Sequence, residues 1–350
     1  ISLHPLDMRA TVEQAHQAIL SIGTTDELLS RFAELARAAV GTDRVLILLP
    51  GEVPGSVGDL LREGLARMDV EGIPHGPVSD PSHTLAVMES ERATALVGIP
   101  VQVLGLARLG AGRRRLGLRS VLLSTDRVPR VVARTIEETW GCAVYNHYGT
   151  TEMGLGGGVD CSVRAGYHLR EADLYFEVVD PLSGRPVAVG EAGEVVFTTL
   201  TRAAMPLVRY RTGDLSRFVT EPCPCGTILR RLAHVDERLA GSVTLRGGGA
   251  LRQRDLDEAL FALPDLADFR VLFGRGPTGD TLVVLVKRCE GSAGLPSEVV
   301  IRALKAILSL GAEMAAESVS LEVRSWEAGD GSGERGTGKR RIEHLQGATS

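Results

Sequence analysis

The 350-residue sequence has few aromatic residues, few cysteines, little net charge and no long apolar run. Aromatic side chains make up 4%, so most of the core must consist of Leu, Val and Ala. No run approaches the roughly 18 apolar residues of a transmembrane helix. A net charge of −5 argues against a nucleic-acid partner held mainly by charge. These absences favour a globular protein with neither a membrane nor a nucleic-acid partner.

Cysteine is scarce as well, and that scarcity concerns the compartment. Five cysteines are an odd number at low density, which argues against a disulfide framework. We therefore expect a reducing, cytoplasmic setting with metal-bound or free thiols. The first residues, ISLHPLDMRATVEQ, lack the basic start and apolar run of a signal peptide. Hydrophobic residues at 44% and charged residues at 24% are ordinary globular usage.

The first half of the chain shows short apolar runs that alternate with helical patterns. A helical pattern covers residues 7–40, and further helices are predicted at 59–68 and 81–90. Apolar runs at 44–49, 95–99 and 120–124 have the length of buried strands, and a further strand is expected at 71–75. Strands that alternate with helices predict βαβ units and a parallel sheet. The fold class is therefore α/β.

The pattern changes after residue 160. β-rich runs at 174–179 and 193–200 predict an antiparallel, barrel-like segment. Beyond a break near 236–241, helices are predicted at 255–263 and 297–310, with strands at 269–273, 281–287 and 318–324. These elements form a small α+β domain. A Gly-rich loop at 328–338 leads into Lys339.

Two polar segments carry side chains suited to a nucleotide. In the first, YNHYGTTEMG at 145–154, Tyr148 offers a flat face to a purine, and Thr150 and Thr151 can donate to a phosphate. Glu152 can bind Mg²⁺, which prefers carboxylate and phosphate oxygens. In the second, PLVRYRTGD at 206–214, Asp214 can accept hydrogen bonds from both ribose hydroxyls. Ordinary polar turns are the alternative for each segment.

A third constellation has the chemistry of metal ligands. Its members are Cys161, His168, Cys223 and Cys225. Three thiolates and one imidazole make a closed tetrahedral site, which is typical of structural zinc. Free, buried cysteines are the alternative, because cysteine is among the most buried residue types.

The order and spacing of YGTTE, GEVVFTTLTRAAMPLVRYRTGD and CPCG resemble the acyl-adenylate-forming superfamily. More closely, they resemble the phenylacetate–CoA ligase branch, which includes coenzyme F390 synthetase-like proteins. Members join a carboxylic acid to AMP, using ATP and Mg²⁺, and usually pass the acyl group to coenzyme A. The resemblance implies a large N-terminal adenylation domain at 1–235 and a small mobile domain at 236–350. It also favours zinc, because this branch commonly has cysteines at these positions.

The resemblance assigns roles to particular residues. Tyr148 would pack on adenine, Thr151 would contact the α-phosphate and Glu152 would hold Mg²⁺. Asp214 and Arg238 would bind the ribose, and Lys339 would bridge the carboxylate and the phosphate during adenylation. The remaining cofactor-binding positions are Gly149, Thr150, Ser124, Thr125, Asp126, Arg246 and Gly247.

The sequence departs from the family at two places. The Ser/Thr/Gly-rich phosphate loop ending in Pro-Lys is not found, and 23–25 only echoes it. Family order puts that loop just before Ile1, so we expect a longer protein. Ala240 stands where an aspartate usually follows the hinge arginine.

The resemblance leaves three functions in competition. The leading one is an AMP-forming ligase of an aryl or aryl-acetic acid with coenzyme A. The alternatives are an adenylyltransferase acting on a hydroxyl and a non-catalytic nucleotide-binding relative. Homodimers are common in this branch, so a homodimer is also compatible with the resemblance.

Overall fold

The structure is a computed structural model that describes residues 44–111, 116–202, 205–277, 279–292, 294–326 and 339–345. The helical pattern predicted at 7–40 and the Gly-rich loop at 328–338 lie outside these residues. Of the helices described, none combines the length and apolar character required to cross a membrane.

The helices within these ranges are α1 (Val57–Ala66), α2 (Pro81–Ser90), α3 (Pro100–Leu109), α4 (Arg130–Trp140), α5 (Gln253–Leu260), α6 (Ser297–Lys305) and α7 (Leu308–Ala315). The strands of the first half are β1 (Arg44–Ile47), β2 (Glu71–Pro74), β3 (Ala95–Gly98), β4 (Ser120–Leu123), β5 (Ala143–Tyr148), β6 (Gly158–Asp160), β7 (Tyr167–Leu169) and β8 (Leu174–Val179). Those that follow are β9 (Gly193–Thr199), β10 (Tyr210–Ser216), β11 (Phe218–Val219), β12 (Arg231–Leu232), β13 (Glu237–Arg238), β14 (Ser242–Thr244), β15 (Ala250–Arg252), β16 (Leu266–Arg275), β17 (Asp280–Arg288), β18 (Val319–Ser325) and β19 (Glu343–His344).

A nine-stranded sheet with the order β11-β12-β7-β6-β5-β4-β3-β1-β2 forms the centre of the N-terminal part. Strands β1 to β5 pair in parallel, which confirms the parallel α/β prediction. The side chains of β3 and β4 are buried throughout, which is why these strands read as continuous apolar runs. The four strands beyond β5 pair antiparallel.

The predicted barrel-like segment is an open antiparallel sheet with the order β13-β10-β9-β8. Strands β8 and β13 are its edges, so the described strands do not close into a barrel. The buried rings of Phe176 and Phe197 lie 6.4 Å apart in its core. The β9–β10 register shifts between Arg211 and Leu215. Such an irregularity re-aims side chains, and here it affects the segment that carries Asp214.

The described residues of the C-terminal part, which begins at Ser242, form a four-stranded sheet, β18-β17-β16-β19, the ribbon β14-β15 and three helices. The predicted helix at 297–310 is two helices, α6 and α7, because the chain turns at Ala306 and Ile307. Its apolar spacing runs on through the turn, so periodicity alone does not reveal the break. Residues of α3 and of the C-terminal part share one hydrophobic cluster. The predicted domain boundary at 235/236 stays a prediction.

Arg340 ties the last described segment to the C-terminal part. Its side chain is 14% exposed and forms ion pairs with Asp257 at 3.1 Å and Asp268 at 2.5 Å. The guanidinium carbon lies 4.8 Å from the ring centre of Phe261 and 4.3 Å from that of Phe269. Charge pairing and ring contacts therefore hold one side chain from several directions.

We expect Arg340→Met to lower the free energy of unfolding by about 3 kcal/mol, because it leaves buried Asp257 without one of its two cationic partners. Urea titration of the intact protein measures the change. The matched control is Arg341→Met, at the exposed neighbouring position. Equal stability of the two variants would contradict the role assigned to Arg340.

Candidate functional site

The polar segments that follow β4 and β5 meet at one edge of the sheet. These strands are parallel neighbours, so their carboxyl ends lie side by side, where α/β sheets bind ligands. Ser124 Oγ, just after β4, lies 2.8 Å from His147 Nδ1 in β5. Thr125 has a φ of 76°, which a β-branched residue rarely adopts. The predicted loop 124–126 thus neighbours the predicted segment 145–154.

Asp214 is where three predicted binding residues converge. The Tyr148 hydroxyl donates to Asp214 Oδ2 at 3.0 Å, and Arg238 Nε donates to Asp214 Oδ1 at 2.5 Å. Asp214 and Arg238 stand opposite each other on β10 and β13. The Asp214 residue is only 2% exposed, whereas the Arg238 side chain is 38% exposed. We call Tyr148, Asp214 and Arg238 the Asp214 cluster.

A second set of side chains supports the Asp214 cluster from behind. The Tyr148 ring stacks on Tyr167 with centroids 5.4 Å apart, and Tyr167 meets the edge of His234 at 4.9 Å. His234 Nε2 lies 2.7 Å from Asp160 Oδ1. Asp160 is fully buried, and its other oxygen accepts the Asn146 N–H at 2.9 Å. Sequence reasoning missed Asp160 and Tyr167, since no motif spacing links residues 160 and 167 to 234.

Burial and a neighbouring negative charge set the protonation of Tyr148. Burial, followed by the charge of Asp214, raises the pKa of Tyr148 well above its ordinary value. The phenol therefore stays neutral and can donate its proton to Asp214. Burial likewise raises the pKa of Tyr167, with a further contribution from Asp160.

Residues 149–155 form a compact turn after β5. The carbonyl of Thr150 accepts the N–H groups of Met153 and Leu155. A Cβ at Gly149 would lie 2.4 Å from the Leu155 carbonyl oxygen, so this close approach requires glycine. The turn leaves Thr151 and Glu152 half-buried.

The Glu152 carboxylate faces Tyr210. Burial and then the charge of Glu152 raise the pKa of Tyr210 to about 12. The Glu152 carbonyl oxygen accepts a hydrogen bond from Arg202. The loop is therefore held through its backbone, and a half-buried carboxylate of this kind is a suitable Mg²⁺ ligand.

The segment that contains Lys339 contacts the loop 124–126 through Arg340. The backbone N–H of Arg340 donates to Asp126 Oδ2 at 3.2 Å, which places Lys339 one residue from that contact. Lys339 forms no ion pair with a described residue.

Two predicted binding residues lie elsewhere. The backbone N–H of Arg246 donates to Asp280 at 2.8 Å, and that of Gly247 donates to Glu313 at 3.1 Å. These bonds connect both residues to the C-terminal sheet and to α7, not to the Asp214 cluster.

The four predicted metal ligands form one group. Cys161 Sγ lies 3.6 Å from Cys223 Sγ, and Cys225 Sγ lies 3.6 Å from His168 Nε2. All four donor atoms lie within 4.8 Å of one another. Tetrahedral zinc separates two sulfurs by roughly 3.8 Å, and a sulfur from a nitrogen by roughly 3.6 Å. The spacing therefore fits zinc ligands and is far longer than a disulfide bond.

The ionisation of Cys223 is consistent with a metal ligand. Burial opposes its thiolate, but hydrogen bonds from Cys225, His168 and Cys161 outweigh burial and lower the pKa of Cys223 to about 6. A thiolate is the form that binds zinc.

Burial lowers the pKa of His147 from 6.5 to about 4. Between these values the unfolded chain binds a proton that the folded chain does not, so the free energy of unfolding falls as the pH drops. We expect roughly 2 kcal/mol to be lost between about pH 7 and pH 5. His147→Asn removes this loss in urea titrations, whereas His83→Asn, at an exposed position, retains it. Equal losses in wild type and His147→Asn would contradict the assignment.

Comparisons with known proteins identify relatives of this sequence. The AMP-binding enzyme family model matches residues 13–202. The phenylacetate–coenzyme A ligase of Thermus thermophilus is 32% identical over 185 residues, which are 52% of this chain and 41% of the relative. The enzyme of the same name from Escherichia coli is 31% identical over 194 residues, which are 55% and 44%. The aligned part thus spans less than half the length of these curated relatives.

Solved structures show the same fold. A 2-hydroxyisobutyryl-CoA ligase in its postadenylation state superposes with a TM-score of 0.72 at 22% identity, over 90% of this chain and 69% of that one. An amide bond synthetase from Marinactinospora thermotolerans gives a TM-score of 0.61 at 18% identity, over 86% and 62%. The family model covers more than half of the sequence, and the aligned part is similar to phenylacetate–coenzyme A ligases. The chain therefore belongs to the AMP-binding enzyme family.

Proposed function

We propose that the protein activates a carboxylic acid with ATP and transfers the acyl group to coenzyme A. A carboxylate oxygen attacks the α-phosphorus, pyrophosphate leaves, and the acyl-adenylate then reacts with the coenzyme A thiol to release AMP. The observation that carries this proposal is the convergence of Tyr148, Asp214 and Arg238, together with the contact of Arg340, the neighbour of Lys339, with the loop 124–126. The names of the phenylacetate-specific relatives support an aryl or aryl-acetic acid.

The Asp214 cluster is suited to hold the nucleoside. Each Asp214 oxygen takes one donor within the protein, which leaves lone pairs for the two ribose hydroxyls. Arg238, which is partly exposed, adds a second ribose contact. Tyr148 offers its ring to adenine and is fixed in place by Tyr167. We assign Ser124, Thr125 and Asp126 to the adenine side.

The phosphates fall to the turn after β5 and to Lys339. Thr151 would contact the α-phosphate, with Gly149 and Thr150 shaping the turn. Glu152 would hold Mg²⁺, which neutralises phosphate charge when bound. As the carboxylate attacks, negative charge grows on the phosphoryl oxygens, and the Lys339 ammonium stabilises it. We propose that Lys339 arrives and leaves with a mobile domain at 236–350, as acyl transfer requires.

The cluster of Cys161, His168, Cys223 and Cys225 would hold a structural zinc ion. Four protein ligands leave no open position, so the metal supplies cross-linking, not catalysis. It would join the segment after β6 to the loop between β11 and β12. That loop leads through β12 to His234, which contacts Tyr167.

Two further expectations concern the setting. The low cysteine content supports a cytoplasmic location, and the resemblance is compatible with a homodimer.

Arg246 and Gly247, which contact Asp280 and Glu313, would act by shaping the C-terminal part.

Glu152→Gln and Lys339→Ala should each slow acid-dependent ATP–pyrophosphate exchange at least ~100-fold. Glu152→Gln removes the negative charge that would hold Mg²⁺, and Lys339→Ala removes the positive charge that would stabilise the phosphoryl oxygens. Arg341→Ala and Glu221→Gln, both at exposed positions, are the matched controls. The measurement uses the intact protein, a broad panel of acids, ATP and Mg²⁺. Absence of exchange by the folded wild type with every acid would refute the proposal. The product mass separates a coenzyme A thioester from an AMP ester of a hydroxyl.

Metal analysis should find stoichiometric zinc in the protein purified under reducing conditions. Cys225→Ser should lose the metal and lower Tm by at least ~5 °C, because the cross-link between the two segments is lost. Cys289→Ser, outside the cluster, keeps both metal and Tm. The four residues would be free side chains if the wild type purified from zinc-replete medium contained no metal and Cys225→Ser had the same Tm as the wild type.

A further inference from the structure

We propose that Glu258 positions Lys339 for adenylation by docking the C-terminal part on the amino end of α4. This inference rests on the proposed function, because it concerns one half of that reaction. Glu258 lies on α5 of the C-terminal part, and α4 belongs to the N-terminal part. Glu258 and Arg130, the first residue of α4, are 128 residues apart in sequence.

Helix α4 lacks a cap of its own. Pro129 occupies the N-cap position without a side-chain hydrogen bond, and the first turn contains no acidic residue. The backbone N–H of Arg130 donates to Glu258 Oε1 at 2.7 Å, and that of Val131 donates to Glu258 Oε2 at 3.0 Å. A carboxylate is the group that a helix amino end favours, through its free N–H groups and its dipole. One glutamate of the C-terminal part therefore accepts hydrogen bonds from two free N–H groups at the start of a helix in the N-terminal part.

Ion pairs continue from Glu258 to the segment of Lys339. Arg127, in the loop before α4, pairs with Glu258 at 3.1 Å and with Asp257 at 3.2 Å. Asp257 in turn pairs with Arg340 at 3.1 Å. The backbone N–H of Arg340 reaches Asp126 at 3.2 Å, beside Lys339. The α4–α5 contact and the Lys339 segment thus share one charged network.

The exposure of Glu258 suits a contact that forms and breaks. Its side chain is 35% exposed, whereas that of Asp257 is 1% exposed. Partly exposed ion pairs contribute little net stability, so release of Glu258 from the amino end of α4 costs little by itself. The buried pair of Asp257 with Arg127 adds the larger cost when the two parts separate. While it is formed, Lys339 stays at the loop 124–126. Glu258 therefore favours adenylation, the half-reaction to which the proposed function assigns Lys339.

Glu258→Ala tests the proposal through the two half-reactions of the intact protein. We expect ATP–pyrophosphate exchange to slow about tenfold, with a smaller loss in Glu258→Gln, which keeps one acceptor oxygen. Transfer from supplied acyl-adenylate to coenzyme A should be unchanged. The matched control is Asp255→Asn, on the same helix, since Asp255 is 31% exposed and pairs with Arg254 of its own helix. An equal slowing of both half-reactions, or no slowing of either, would overturn the proposal.

Amide hydrogen exchange provides a readout that needs no activity. In Glu258→Ala the amides of Arg130, Val131 and Arg340 should exchange about tenfold faster, and in Asp255→Asn they should not. Faster exchange confined to Arg130 and Val131 would show that Glu258 caps α4 without positioning Lys339. A wild type that releases no pyrophosphate would refute the proposed function. Amide hydrogen exchange at Arg340, compared between wild type and Glu258→Ala, would still decide the role of Glu258.

Discussion

The buried carboxylate of Asp214 is the interaction on which the rest of the site depends. A carboxylate that is only 2% exposed is costly unless donors surround it. Here the donors come from Tyr148, at the end of the parallel sheet, and from Arg238, on the opposite strand of the antiparallel sheet. One charge therefore joins the two sheets. Any ribose bound there would meet an acceptor that is already oriented.

Fixing Asp214 requires that Tyr148 itself be fixed, and a second buried carboxylate contributes to this. Asp160 holds His234, His234 contacts Tyr167, and Tyr167 stacks on Tyr148. The cysteine-rich cluster lies on the same segments, since Cys161 follows β6 and His168 is in β7. A zinc ion there would stabilise the segments that carry Asp160 and Tyr167, without contacting a nucleotide bound at the Asp214 cluster.

Sequence reasoning recovered the parts of this arrangement that leave a local pattern. Residues 44–49 and 120–124 read as strands because both faces of the parallel sheet are covered. Cys161, His168, Cys223 and Cys225 were recognisable by ligand chemistry alone, although two segments far apart supply them. Asp160, Tyr167 and Glu258 were not, because each acts through a partner distant in sequence. The break between α6 and α7 was hidden by continuous apolar spacing, and the barrel-like segment proved to be an open sheet.

If the Asp214 cluster binds the nucleotide, an experimental structure of the intact protein with AMP will show both ribose hydroxyls within hydrogen-bond distance of Asp214. Adenine will then lie against Tyr148. A nucleotide bound away from these residues, with Asp214 still closed by Tyr148 and Arg238, would contradict this assignment.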